Sequence, residues 1–397
     1  MVQRLKIALI WAYPQNYLSD LYSRHPGLDA KSYNSQQDTI IQDYFSWPPS
    51  VILRMKEQGH DARVFMINSA AVQGAWAREH SVPFPPSGWD CSVSLEQLRR
   101  FRPDVIWIGS MFKYYGDYLA QAKQFCNLVA AWVACPTPEH LSSDSVDIFL
   151  TSHKSIGKHL AESGKPVSLV LPSFEPRILE GLVDGSARTP SACFIGSLLW
   201  AQRRRIDLLR ALQSQVPLDL YIARPKVSRK SPSLAGLRTH LATVPLYRRS
   251  KGSAYGMRMY QILRDCRIAI NVHGEVAGGE AGNMRMFEAT GIGCTLVTEA
   301  APNMKLLFEP DKEVITYRSA EELTEKVRYL LANPSVVADI GSKGQERTLL
   351  RHSSAVRATE ILDIITKALV SGRALNSVTG TSLGRGSATS EAALGCK

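Results

Sequence analysis

The chain has 397 residues, and 45% of them are hydrophobic, which is enough for two domains of ordinary size and argues against wholesale disorder. The formal charge of +11 favours anionic partners, but the basic residues are spread along the chain without a long Lys/Arg block, so nucleic acid is not the expected partner. No apolar run is long enough to span a bilayer. The seven cysteines are scattered without a Cys-x-x-Cys, which speaks against a zinc site or a disulfide frame and for reduced thiols in a cytoplasmic protein.

Leu5–Ala12 is a continuous apolar run and reads as a central parallel strand rather than a signal segment. Pro48–Gly59 reads as a helix with early prolines and a glycine stop. Ala62–Ile67 is the next strand, and Ser69–Glu79 and Ser94–Phe101 are predicted helices, the latter opened by a capping box from Ser94 to Gln97. Asp104–Gly109 is a strand and Tyr115–Cys126 a helix. Strands follow at Leu128–Ala134 and Asp147–Thr151, then a helix over Ser155–Ser163 and a strand over Pro166–Leu171. This alternation predicts an α/β fold with a doubly wound, Rossmann-like parallel sheet. Residues 1–173 form that first domain. The proline- and glycine-containing stretch 174–190 reads as a linker.

Residues 191–353 repeat the scheme. Strands are expected at Ala192–Ile195, Leu218–Ile222, Ile268–Val272, Cys294–Val297 and Glu313–Tyr317. Helices are expected at Arg204–Leu212, Tyr255–Asp265 and Ser319–Ala332, the last with a capping box from Ser319 to Glu322. Residues 225–253 are basic and proline-containing and read as a loop region. Helices near Ser335–His352 and Ala355–Leu369 finish the fold, with 354–371 expected to cross back to the first domain. Residues 372–397 are rich in small polar residues and read as a flexible tail.

Two such domains facing each other enclose a cleft at the carboxyl ends of both sheets, where ligands of these folds bind. Three segments of the second domain should line it. In the first, a strand ends at Gly196 and a loop leads to Arg203-Arg204-Arg205 at a helix start. A cation there opposes the helix dipole unless an anion compensates, so a diphosphate site (Arg204 foremost) and a solvated basic patch are both open readings. The second segment is Asn271-Val-His273-Gly274, where His273 either bonds a phosphate or sugar hydroxyl or caps the strand. The third, Gly278-Gly-Glu280-Ala-Gly282-Asn283-Met284-Arg285-Met-Phe-Glu288, joins a glycine-rich loop to a helix. Its backbone amides can approach a phosphate closely. Glu288 would accept ribose hydroxyls, and Glu280 would face the sugar beyond the diphosphate. A loop acid and a salt-bridged helix acid are the plainer alternatives.

These residues carry a resemblance. Gly282-Asn-Met-Arg-Met-Phe-Glu-Ala-Thr-Gly291, Thr295-Leu-Val-Thr-Glu299, Leu307–Tyr317 and Arg351-His-Ser-Ser-Ala-Val-Arg357 are similar to the donor domain of CgeB-like (spore-maturation-like) GT-B glycosyltransferases, related to glycosyltransferase family 4. The resemblance implies two Rossmann-like domains facing across a cleft, the acceptor on the first and a nucleotide-diphosphate sugar on the second. It places Glu288 on ribose and Glu280 on the donor sugar, as a catalytic residue. Asn283 and Met284 would offer amides to the diphosphate, and Arg204 or Arg285 its charges. It further implies transfer with retention of configuration, no cofactor other than the donor substrate, and no metal, in keeping with the lack of an Asp-x-Asp triplet. The family's glycine-rich loop after the first strand is replaced here by Trp11-Ala-Tyr-Pro-Gln-Asn-Tyr17, whose aromatics suggest an acceptor surface that stacks on a sugar ring. An inverting reaction would need a base from the first domain. His25, Asp43 and His140 are available, with His140, in the loop after Cys135-Pro-Thr-Pro138, the first choice. The expected partners are a nucleotide sugar, a glycan, lipid-linked or small-molecule acceptor, and an anionic inner membrane surface touched peripherally. An epimerase or hydrolase of the same fold, or a non-catalytic nucleotide-sugar binder, are the alternatives.

Overall fold

The computed structural model describes residues 4–109, 111–138, 141–183, 190–198, 203–223, 234–274 and 278–379. Among them eleven strands build two parallel sheets. The first sheet holds β1 (Lys6–Trp11), β2 (Asp61–Met66), β3 (Val105–Ile108), β4 (Leu128–Trp132), β5 (Ile148–Thr151) and β6 (Val167–Leu169), in the order β2-β1-β3-β4-β5-β6. The second holds β7 (Ser191–Ser197), β8 (Leu218–Ala223), β9 (Arg267–Asn271), β10 (Thr295–Glu299) and β11 (Ile315–Tyr317), in the order β11-β10-β9-β7-β8. Each is covered by helices on both faces, which explains the unbroken apolar strands. In β1, Ile7 and Leu9 serve one core while Ala8 and Ile10 serve the other. Both sheets reverse direction of growth once, between β1 and β3 and between β7 and β9. Ligands of open α/β sheets bind outside the carboxyl ends of the strands at such switch points.

Several elements differ from the sequence expectation. Helices Gln15–Arg24 and Tyr33–Gln42 occupy a stretch where none was expected, because each buries only three residues in an otherwise polar segment. The helix containing Ser94 starts earlier, at Trp89, after Gly88 with φ 69°. Ser94 is therefore internal, and its hydroxyl donates back to the carbonyls of Asp90 and Cys91 instead of capping. Within 225–253 the chain forms a helix, Leu234–Arg249, that tolerates Pro245. The Ser319 cap does form, with the hydroxyl accepting from Glu322 N at 3.1 Å. Tyr13 and Tyr17 do not present rings for stacking on a sugar. They are buried in an aromatic cluster with Phe45 and Tyr255. Trp11 lies so close over the first switch point that a side chain at Gly109 would meet its ring at 2.5 Å.

The lobes are joined where the chain crosses between them twice. Phe174 N donates to His352 O at 2.9 Å, and Ser354 N donates to Phe174 O at 2.8 Å, so the two crossings pair like strands. Beside them Glu175, 2% exposed, accepts from Arg177 Nε at 2.9 Å, from Ser354 Oγ at 2.7 Å and from Arg54 on helix Trp47–Glu57. The last helix, Ser354–Thr379, packs on Trp47–Glu57, with Ala358, Ile361 and Ile365 entering the same core as Val51, Ile52 and Met55. It runs into the stretch expected as a tail; residues 380–397 lie outside the described residues, as do 184–189 of the expected linker. A second seam joins Asp43 to helix Gly256–Cys266: Asp43 Oδ1 accepts from Met257 N at 3.3 Å while Oδ2 pairs with Arg24 at 3.0 Å. Gly256 sits at φ 54°, and a Cβ there would fall 1.9 Å from Asp43 Oδ2. No described helix is long and apolar enough to cross a membrane.

Burial alone would raise the pKa of Glu175, but the bonds from Arg177 and Ser354 and the Arg54 charge hold it below the usual 4.5. Its stabilising contribution is thus full above that value and lost as pH falls through the lowered pKa. Glu175→Ala should cost about 3–5 kcal/mol, the scale for removing one partner of a buried pair. Urea unfolding at neutral pH measures this, and an unchanged midpoint would contradict the role given to the hub.

Candidate active site

The cleft contains a cavity of about 250 Å³ shared by both lobes. The first lobe contributes Trp132 at the end of β4, and Ser152 and His153 just past β5. The second contributes Arg205, His273, Glu280, Gly282, Asn283 and Met284. A smaller space of about 70 Å³ adjoins it, lined by Arg204, Arg205, His273, Gly279 and Glu299.

The floor is built at the second switch point. Arg205 donates from Nη1 to Ser197 O, at the end of β7, at 3.1 Å, and from Nη2 to Val272 O, just past β9, at 2.9 Å. One guanidinium thus spans the gap between the two diverging strands, where an anion binds in folds of this topology. Arg205 shares a helical stripe with the buried Leu208, Leu209 and Leu212, which turns it inward, whereas Arg203 and Arg204 project outward. Arg204 reaches back to Glu299, with Nη2 2.7 Å from Oε1.

Glu299 ends β10 and is 4% exposed. Its other oxygen accepts from His273 N at 2.6 Å. Burial raises its pKa, opposed by the His273 amide and by Arg204 and Arg205. The His273 ring lies between the spaces, its Nε2 3.1 Å from Glu299 O and its Nδ1 without a partner among the described residues. Desolvation lowers its pKa to about 4, with His153, Arg204 and Arg205 adding to the effect. His153 on the opposite wall is also depressed by burial, partly offset by Glu280. Two neutral imidazoles, one from each lobe, therefore face the cleft at neutral pH.

The glycine-rich loop crosses to the first lobe. Gly278, Gly279 and Gly282 adopt φ of 59°, 83° and 149°, and a Cβ on Gly282 would lie 3.4 Å from Ser152 O. Glu280 Oε2 accepts from Lys154 N at 2.6 Å, at the start of helix Lys154–Ala161, where a carboxylate is favoured by the dipole. The loop ends at Asn283, the N-cap of helix Met284–Gly291. Its side chain is drawn sideways to Asn271 (Nδ2 to Oδ1, 2.8 Å), so no side chain caps the helix, and its first residue, Met284, lines the cavity.

Of the residues singled out from sequence, Glu280, Gly282, Asn283, Met284 and His273 line the main cavity and Arg204 the adjoining one. Gly196, Arg203, Arg285 and Glu288 line neither. Gly196 is packed against the Phe194 ring, and Arg203 is exposed. Glu288 is buried one turn into its helix, 2.9 Å from Arg285 Nη1, and burial raises its pKa against the pull of Arg285 and Tyr260. Asp43 is held in the interlobe seam and His25 is exposed at a helix end. His140 lies outside the described residues. The sequence reading ranked Arg205 behind Arg204 and gave no site role to Glu299 or His153. Arg205 was signalled by its place on the apolar stripe, and the other two by their positions at strand ends. Among the described residues no group of three His, Cys, Asp or Glu side chains is arranged to hold a metal.

Residues 205–363 match a sequence family described as glycosyl transferase-like. No curated protein matches the chain. Among solved structures, Anabaena HepE in complex with UDP and glucose is similar with a TM-score of 0.59 at 12% identity, over 92% of this chain and 100% of that one. Sucrose-phosphate synthase from Thermosynechococcus elongatus gives 0.54 at 11% identity over 93% and 100%. AviGT4, a glycosyltransferase involved in avilamycin A biosynthesis, gives 0.53 at 14% over 92% and 98%. With two facing parallel sheets and a cleft at their carboxyl ends, the fold is that of the GT-B glycosyltransferases.

Because the folded pKa of His273 is depressed, its contribution to stability is full above the ordinary 6.5 and is lost as pH falls toward about 4. His273→Gln should flatten the decline in melting temperature over that window. An identical decline in both proteins would show that His273 titrates freely.

Proposed function

We propose that this chain is an enzyme that transfers a sugar from a nucleotide-diphosphate sugar to an acceptor bound by the first lobe. The observation that carries this reading is Arg205 spanning the β7/β9 switch point opposite the uncapped amides of helix Met284–Gly291. A diphosphate between them meets a fixed cation on one side and aligned N–H groups on the other. HepE holds UDP, and also UDP-glucose, in a related fold, which supports a uridine donor here.

Departure of the diphosphate builds negative charge beside Arg205 and the start of helix Met284–Gly291, with Arg204 in the adjoining space, and in this reading these groups stabilise it without a metal. In the retaining reading, the anomeric C–O bond to the diphosphate breaks and a bond to the acceptor oxygen forms on the same face. The acceptor proton passes to the departing phosphate oxygen. Glu280 stands at the rim, where it can exchange the Lys154 amide for hydroxyls of the donor sugar. An inverting reaction would instead draw its base from the first lobe, and His153 is the imidazole that lines the cleft there. Glu288 is proposed to accept the ribose hydroxyls, which requires the Arg285 pair to open when the donor seats.

A panel of sugar nucleotides tested by thermal shift and by release of free nucleotide decides the function. The expected result is stabilisation by one donor class and acceptor-dependent turnover. Release without any acceptor beyond water would mean a hydrolase, a sugar isomer as product an epimerase, and binding without turnover a silent binder. Glu280→Gln should lower kcat well below wild type while nucleotide affinity holds; equal loss of both would assign it only to lobe docking. Glu288→Gln should weaken UDP binding by about 1.5–3 kcal/mol, the scale of a hydrogen bond to a charged group, as read by calorimetry. Lowered stability with unchanged UDP affinity would remove it from the ribose site.

A further inference from the structure

A second cavity, of about 200 Å³, lies on the first lobe away from the cleft. It opens on the edge of the first sheet, beside Lys6 at the start of β1 and Arg63 and Phe65 of β2, whereas the cleft lies past the carboxyl ends of β4 and β5. Its floor is aromatic and its walls are cationic. Lys6 Nζ sits 5.1 Å and the Arg63 guanidinium 4.4 Å from the Phe101 ring centre, and Arg100 lies 5.4 Å from that of Trp76. Cations held against ring faces are partly desolvated, which raises the gain from meeting an anion.

The pairing of these cations is incomplete. Arg63 gives Nε and Nη2 to Asp61, at 3.0 and 3.3 Å, and Arg100 gives Nε to Glu96, at 2.6 Å, which also serves Arg99. The remaining guanidinium nitrogens of Arg63 and Arg100 are not engaged by these acids. Asp104 accepts from the backbone of Lys6, at 2.8 Å, and among the described residues no carboxylate pairs with Lys6 Nζ. Gln97 also lines the cavity, but its amide is turned into the protein, where Oε1 accepts from Gln73 Nε2 at 3.2 Å and Nε2 has no partner among the described residues.

We propose that this cavity is a binding site for a phosphate monoester, separate from the cleft. Lys6, Arg63 and Arg100 line one cavity and together offer more donors than a single carboxylate accepts, which suits the three oxygens of a phosphate. The group could be carried by a soluble metabolite or by a lipid headgroup, and the two are distinguished by experiment. The full chain is titrated calorimetrically with glycerol 3-phosphate and, separately, sedimented with vesicles of phosphatidylcholine with and without phosphatidic acid. Wild type should bind at least one of these probes, and the double variant Lys6→Gln/Arg100→Gln should bind it at least tenfold more weakly. Binding of the soluble ester assigns the site to metabolites, and retention only by phosphatidic acid vesicles assigns it to a membrane surface. Arg204→Gln serves as the counter-arm: loss of the signal in that variant, with the double variant unchanged, would place the phosphate in the cleft and overturn the proposal. Failure of wild type to bind any probe would overturn it too.

Discussion

The buried carboxylate of Glu175 is the constraint on which the two-lobe arrangement rests. It sits where the chain passes from the first sheet to the second and where it returns, and it gathers a cation from each side of that passage together with the hydroxyl of Ser354. A charge so deeply placed is tolerable only when every oxygen is matched, and the match requires both crossings to be in register. The Phe174–Ser353 bridge supplies that register, and the last helix then lies along Trp47–Glu57 with its apolar stripe inward. The cleft takes its width and direction from this joint, since the strand ends that line it belong to sheets whose relative setting the joint fixes.

Within the cleft, opposite electrical characters are kept apart by backbone geometry. The cations Arg204 and Arg205 and the helix amides are gathered on the second lobe, while Glu299 is turned beneath them. Glu299 holds Arg204 from behind and receives the amide of His273, so the cations keep their aim without an anion in front. The imidazoles are held neutral by burial, which leaves them able to accept or share a proton instead of adding to the positive field.

Much of the fold was legible because parallel strands covered on both faces are apolar throughout, and Leu5–Ala12 or Leu128–Ala134 cannot be read otherwise. Glycines at 278, 279 and 282 marked the loop, and the carboxylate and amide groups around it fell into the cleft as the chain order required. What escaped notice was set by packing across long sequence distances. Helices Gln15–Arg24 and Tyr33–Gln42 owe their existence to a thin buried edge, too sparse for periodicity to reveal. Ser94 had the spacing of a cap but not the position. Glu288 had the spacing of a ligand and is enclosed with Arg285, a pairing that the i, i+3 relation permitted equally well. Glu299 ended an ordinary core strand, and only the strand order places it beside Arg204.

The contact between Asp43 and Gly256 carries a consequence for motion. The carboxylate of one lobe occupies the space a side chain would take on the other and bonds the amide that follows, while beside it Tyr260 donates to Tyr44 O at 3.1 Å and Tyr255 packs edge-on against Tyr17 and Phe45. The lobes are thus clasped over a patch, and any relative displacement on this side has to unseat aromatic rings as well as break hydrogen bonds.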